Sequence, residues 1–203
     1  MNFFVAGIDT DSGKTLVSAI LCEAWKADYW KPIQAGLPGD SQTIRSLLTN
    51  QESKIHPEAF ILNTPASPHA AALIDGVSIS VKSIEVPSTQ NTLVIEGAGG
   101  CLVPLNDQEF VIDLVNHTKS EIILVADLYL GSINHTLLTV EAVKKRNLPV
   151  KGIIFNGQSN PESERIILHH TGYPCLLKIE KEESIDKEVV QKYASQLKAN
   201  GHA

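Results

Sequence analysis

Gly7-Ile8-Asp9-Thr10-Asp11-Ser12-Gly13-Lys14-Thr15 is the stretch on which the reading of this 203-residue chain turns. Asn2 to Ala6, before it, is a short apolar run with β-branched and aromatic residues; Leu16, Val17, Ala19, Ile20 and Ala24, after it, recur at helical spacing. A strand that passes through a glycine-containing turn into a helix gathers backbone N–H groups and the positive end of the helix dipole at one point. Such a point takes an anion. The stretch therefore reads as a phosphate-binding loop: Gly13 lets the backbone close on the phosphates, Lys14 reaches the β- and γ-phosphates, and the Thr15 hydroxyl is placed to ligate Mg²⁺. The ordinary spacing puts the first glycine where Ile8 stands; here it is Gly7, so the loop is one residue longer.

Working outward, composition sets the class. Hydrophobic residues make up 43% and charged residues 20%, as in an ordinary soluble globular protein, and the length suits one α/β domain with a full core. A net charge of -6 argues against a large nucleic-acid footprint, and the dense basic group Lys144-Lys145-Arg146 falls where a helix should end and complements its dipole. Cys22, Cys101 and Cys175 are far apart with no paired spacing, which predicts reduced thiols rather than disulfides or a zinc site. No apolar run approaches membrane-spanning length, and only six residues precede the loop; no membrane association and a cytoplasmic location are expected.

Along the chain, Tyr29 to Ile33 reads as a second strand, Asp40 or Ser41 as the cap of a helix carrying Ile44, Leu47 and Leu48, and the proline-interrupted region 50–89 as short helices over one end of the sheet. Thr92 to Glu96 reads as a strand running into Gly97-Ala98-Gly99-Gly100, Phe110 to Asn116 as a short helix, and Glu121 to Ala126 as a strand. Ile133 to Val143 reads as a helix, Val150 to Phe155 as a strand, Pro161 to His170 as a helix, Cys175 to Leu177 as a strand and Asp186 to Lys198 as a final helix. Uniformly apolar strands alternating with amphipathic helices predict a mostly parallel sheet with helices on both faces, a single-domain P-loop NTPase-like α/β fold over residues 1–203. Ligands in such sheets bind outside the carboxyl ends of the strands, so Asp9 to Thr15, Lys31 to Gly36, Glu96 to Gly100, Asp127 to His135 and Asn156 should converge on one rim.

These motifs, in this order, resemble the dethiobiotin synthetases. The resemblance is carried by the loop with Gly13-Lys14-Thr15, Lys31-Pro32-Ile33, Ser67-Pro68-His69, Val94-Ile95-Glu96-Gly97-Ala98-Gly99-Gly100, and Leu130-Gly131-Ser132-Ile133-Asn134-His135 with Leu138-Thr139. It implies an ATP-dependent enzyme that takes 7,8-diaminopelargonate, CO₂ and MgATP to dethiobiotin, ADP and phosphate through a carbamate and its anhydride with phosphate. Two like unit charges about 4 Å apart repel by about 4 kcal/mol at an effective dielectric near 20, so a carbamate meeting a phosphoryl group needs fixed positive charge between them. On that resemblance Lys14, Lys31 and Thr10 are the catalytic candidates, and Thr15, Asp40 and Glu96 are the Mg²⁺ set. Asp11, Ser12, Gly13, Lys14, Thr15, Leu16, Asp40, Glu96, Gly97, Ala98, Gly99 and Asn156 hold ATP, with Asn156 on the adenine. Thr10, Lys31, Ala35, Gly131, Ser132, Ile133 and Asn134 meet the diamine, the last four across the interface of a homodimer. Three features depart from the family pattern: Ala35 stands where a hydroxyl is usual, the loop from Gly36 to Asp40 is short, and Ile179-Glu180-Lys181-Glu182 replaces a proline-containing adenine loop. His69 and His135 read as structural hydrogen-bonders and Cys101 as a packed residue. The alternative is a nucleotide-switch ATPase of the partitioning or septum-site type. Those proteins carry an extra lysine early in the loop, where Asp9 and Thr10 stand here, and many end in a basic amphipathic helix that the tail from Ser184 lacks.

Overall fold

Alternation along the first strand sets the layers. In the computed structural model, which describes residues 1–201, Phe3 and Val5 enter one core and Phe4 and Ala6 the other, so the strand is buried on both faces. The elements are β1 (Asn2–Gly7), α1 (Lys14–Trp25), β2 (Asp28–Trp30), β3 (Ile33–Ala35), α2 (Asp40–Leu47), β4 (Ile55–His56), β5 (Phe60–Leu62) and α3 (Pro68–Asp75). They continue with β6 (Leu93–Gly100), α4 (Leu114–His117), β7 (Glu121–Asp127), α5 (Ser132–Lys145), β8 (Val150–Asn156), α6 (Pro161–Thr171), β9 (Cys175–Ile179) and α7 (Lys187–Ala199). Among the described residues the main sheet has seven parallel strands in the order β4-β2-β6-β1-β7-β8-β9. Side chains of α1, α2 and α7 fill the core on one face, and those of α3 to α6 fill the core on the other. Phe4 is 1% exposed, and truncating such a ring to alanine costs about 3–5 kcal/mol.

Helix ends follow their local chemistry. Asn160 caps α6 by accepting from Ser163 N at 3.0 Å with Pro161 next in line, and Asp186 caps α7 by accepting from Val189 N at 2.9 Å, so the last helix starts after Asp186.

Several expectations are corrected. Tyr29 to Ile33 is not one strand: β2 stops at Trp30, and Ile33–Ala35 pairs with Phe60–Leu62 in a separate two-stranded sheet. Pro32 is the cause, since it has no N–H for the ladder, while its carbonyl accepts from Ala59 N at 2.9 Å and Phe60 N at 3.0 Å and turns the chain into the second sheet. The region 50–89 holds two short strands as well as α3 and a 3-10 turn at Val81–Ser83. β6 continues through the glycines to Gly100, which pairs with Gly7. Phe110 to Asn116 is a 3-10 turn at Val111–Asp113 followed by the single turn of α4. Finally, neither Asp40 nor Ser41 caps α2. Gly39 holds that position, and the orphan N–H of Asp40 is taken at 3.0 Å by Gln34 Oε1.

Candidate active site

The chain between β1 and α1 closes on itself through its own polar atoms. Ser12 Oγ donates to Asp9 O at 3.0 Å, and Lys14 Nζ donates to Asp9 O at 2.9 Å and Thr10 O at 2.8 Å. Both flanking glycines are required. A Cβ on Gly7 would lie 2.2 Å from Ser12 Oγ; Gly13 sits in the left-handed region at φ +94°, where a Cβ would strike Asn156 Nδ2 at 2.3 Å. Gly13 precedes α1 with no side-chain cap, so the first-turn N–H groups are left for an anion at the loop.

Beside this loop lies a cleft of about 670 Å³ whose walls include Thr10, Lys14, Thr15, Lys31, Asp40 and Glu96. Among these the Glu96 carboxylate is buried and the most heavily partnered. Oε1 accepts from Thr15 Oγ1 at 2.9 Å and from Lys31 Nζ at 3.1 Å, while Oε2 accepts from Tyr29 O–H at 2.9 Å. Lys31 leaves β2 at the proline break and is shared with Asp40, whose carboxylate also contacts its ammonium. Burial opposes the charge on Lys31, but Glu96 and Asp40 outweigh it and hold the ammonium above the usual lysine range. Lys14 is held below that range by burial, with the neighbouring charge of Lys31 acting the same way and Glu96 opposing. Two cations thus line one cleft together with the carboxylates of Glu96 and Asp40. That arrangement suits a site where anionic groups must be brought into contact.

Three of the five rim segments meet in this cleft: the loop, Lys31 with Ala35, and Glu96 with Ala98 and Gly99; Asp40, from outside those segments, lines it as well. Asp11 and Gly13 line it too. Asn156 reaches the loop from below, donating Nδ2 to Ser12 O at 3.0 Å. Other candidates face elsewhere. Leu16 packs in the core, a Cβ on Gly97 would point at the Phe4 ring, and the Ser12 side chain is buried against the loop. Gly131, Ser132 and Ile133 line a separate cleft of about 390 Å³ with Gln158 to Asn160, and Asn134 is exposed on α5. His135 contacts the Tyr129 hydroxyl, and His69 Nδ1 lies 3.1 Å from Ser67 Oγ. Burial pushes the Cys101 thiol up to about 12, as suits a packed residue.

Gln34 and Tyr29 have roles in the site that a reading of the sequence does not reach. Gln34 grips the short loop, donating to Gly36 O at 3.0 Å and capping α2, which frees the Asp40 carboxylate for Lys31. Tyr29 reads as core. The available signal was alternation, which puts Tyr29 on the same face as Lys31.

A family model described as an AAA domain matches residues 1–189. An ATP-dependent dethiobiotin synthetase of Cytophaga hutchinsonii is 60% identical over 197 residues, covering 96% of each chain. One from Christiangramia forsetii is 48% identical, covering 97% of this chain and 96% of its own. The chain belongs to the dethiobiotin synthetase family. A biotin biosynthesis bifunctional protein of Bordetella avium is 41% identical to 96% of this chain, which spans 42% of that protein. In fold, the chain is similar to a ParA family ATPase of Chlorobium tepidum, with TM-score 0.56, 13% identity, and coverage of 100% and 93% of the two chains. It is also similar to a septum site-determining protein of Pyrococcus horikoshii solved with Mg-ADP, with TM-score 0.53, 18% identity, and coverage of 100% and 92%. At those identities the likeness is one of architecture alone. Among the described residues, no helix is long and apolar enough to cross a membrane.

Proposed function

We propose that this cleft, in a single domain, closes the ureido ring of dethiobiotin from 7,8-diaminopelargonate, CO₂ and MgATP, releasing ADP and phosphate. The observation that carries the reading is Lys31: a buried ammonium held between Glu96 and Asp40 in the cleft that Lys14 also lines. An uncharged amine of the diamine adds to CO₂ and loses a proton, giving a carbamate. A carbamate oxygen takes the γ-phosphoryl group as ADP leaves; the second amine then attacks the carbonyl carbon, and phosphate departs. Lys14 spans the β- and γ-phosphates from the loop, and Lys31 holds the carbamate against the phosphoryl group it must reach. Thr10, at the mouth of the cleft, meets the amine end, and Ala35 leaves that wall without a hydroxyl. Asn156 secures the loop through Ser12 O and reaches toward the adenine.

The donors around Glu96 fit Mg²⁺. Thr15, Glu96 and Asp40 are all hard oxygen ligands, and a set this sparse suits an ion that keeps waters and phosphate oxygens around it. Bound there, Mg²⁺ would neutralise charge on the phosphates during transfer.

The segment carrying Gly131 to Asn134 is the proposed contact with a second copy. Tyr129, Leu130 and Leu138 are exposed around it, with Leu130 at 103%, and an apolar group of this kind at a loop reading as a carboxylate nest supports a homodimer whose sites are shared. The reading places the enzyme in the cytoplasm, where three unpaired cysteines stay reduced. The test is direct: protein with MgATP, bicarbonate and the diamine should yield dethiobiotin by mass spectrometry. Phosphate release indifferent to the diamine would overturn the reading.

A further inference from the structure

The hydroxyl of Tyr29 has no part in the chemistry described so far. Its ring is buried in the core under α1, and the O–H donates to Glu96 Oε2 at 2.9 Å. Thr15 and Lys31 both use the other oxygen, Oε1, at 2.9 and 3.1 Å. The carboxylate is therefore divided, with one oxygen tied to the wall and one turned to the groups of the cleft.

We infer that Tyr29 is a positioning residue: by holding Oε2 it fixes the rotation of the Glu96 carboxylate, so that Oε1 stays beside Thr15, and it thereby sets how tightly the site takes Mg²⁺ with its nucleotide. This rests on Glu96 belonging to the proposed metal set. The terminal torsion of a glutamate is broad, and a carboxylate whose partners are all side-chain tips of the cleft has nothing rigid to set it. Tyr29 supplies the rigid partner. It hangs from β2, which is hydrogen-bonded to β6 with Tyr29 level with Val94 and Trp30 level with Ile95, so donor and acceptor are spaced by the sheet itself. Packing alone would be met by phenylalanine, which fills the same volume with no oxygen to satisfy.

The test is Tyr29→Phe, read by calorimetric titration with ADP in excess Mg²⁺ and again in EDTA. Affinity in EDTA should match the wild type, while affinity with Mg²⁺ falls about tenfold, the loss typical when a partner behind a metal ligand is removed. In turnover, the half-saturating Mg²⁺ concentration should rise by a similar factor, with the KM for the diamine unchanged. Added to Glu96→Gln, Tyr29→Phe should cost nothing further. Equal losses with and without Mg²⁺, no loss at all, or an undiminished loss in the Glu96→Gln background would each overturn the inference. Tyr29→Met, which keeps an apolar filling without the hydroxyl, repeats the measurement should the Phe variant melt early. A wild type that binds MgADP but forms no dethiobiotin would remove the proposed reaction, while the titrations would still decide the role of Tyr29.

Discussion

Asp28 and Glu96 lie on adjacent strands of one sheet, at 2% and 1% exposure, yet they do different work. Asp28 opens β2 and accepts from Lys54 N, Asn91 Nδ2, Thr89 Oγ1 and His56 Nε2 at 2.7 to 3.0 Å. Those donors come from segments packed at the amino edge of the sheet, joining β2, β4 and the approach to β6. Burial pushes Asp28 up, but the hydrogen bonds outweigh it and hold its carboxyl below the usual range. Glu96 faces the cleft and is met by Thr15, Lys31 and Tyr29, two of which are proposed to touch substrate or metal. Burial is equal, so the donors decide the role. A carboxylate satisfied by donors that themselves tie segments of the sheet together fastens the fold; one satisfied by side chains that an anion or cation can claim is available for chemistry.

The largest effect should come from the Glu96 side of this contrast. Lys31→Met is expected to lower kcat by about 10³-fold, the scale of losing a preorganised charge donor, with Lys14→Ala comparable and the far-ultraviolet circular dichroism of both unchanged. Dethiobiotin formation near wild-type rates in either variant would break the comparison. Asp28→Ala should do the reverse, costing about 3 kcal/mol in urea unfolding because several donors lose their acceptor, with kcat for the remaining folded enzyme preserved. A smaller effect is expected at Glu23, a second structural carboxylate that accepts from Thr49 N at 2.9 Å and Asn50 N at 3.1 Å. Burial acts to raise its pKa, but these bonds prevail and bring it down to about 2. Because the folded value is depressed, its stabilisation is complete above the unfolded value and fades as pH falls toward 2. Glu23→Gln should therefore flatten the fall in Tm below about pH 4.3, measured by scanning calorimetry. Smallest is Asn134→Ala, on the exposed start of α5: the KM for the diamine should rise about tenfold, one charge-assisted contact, with the KM for ATP nearly constant. Equal changes in both would detach this segment from the site.

Much of the rim was legible because its signals are local. Strand, loop and helix around Gly13 are read from neighbours in sequence, and the apolar runs of β1, β6, β7 and β8 announce buried parallel strands. Tyr29 and Asp28 were not legible in their roles, since a tyrosine or an aspartate in a short buried strand carries no mark of a partner 67 or 61 residues away. Gln34 was hidden for a related reason: it serves a helix whose start lies beyond a turn. The split at Pro32 could have been read, but the apolar residues on both sides of it mask the missing N–H.

The buried strands β1, β6, β7 and β8 and the glycine-bearing loop after the first of them belong to the chain as written, because hydrophobic periodicity and glycine spacing act over a few residues and need no tertiary partner. Which oxygen of Glu96 meets Lys31, what frees Asp40 from capping a helix, and why Gly131 to Ile133 line a different hollow were decided only when the sheet brought distant segments together. A buried charge settles on whichever donors the packed layers leave within reach, and that choice is made across space.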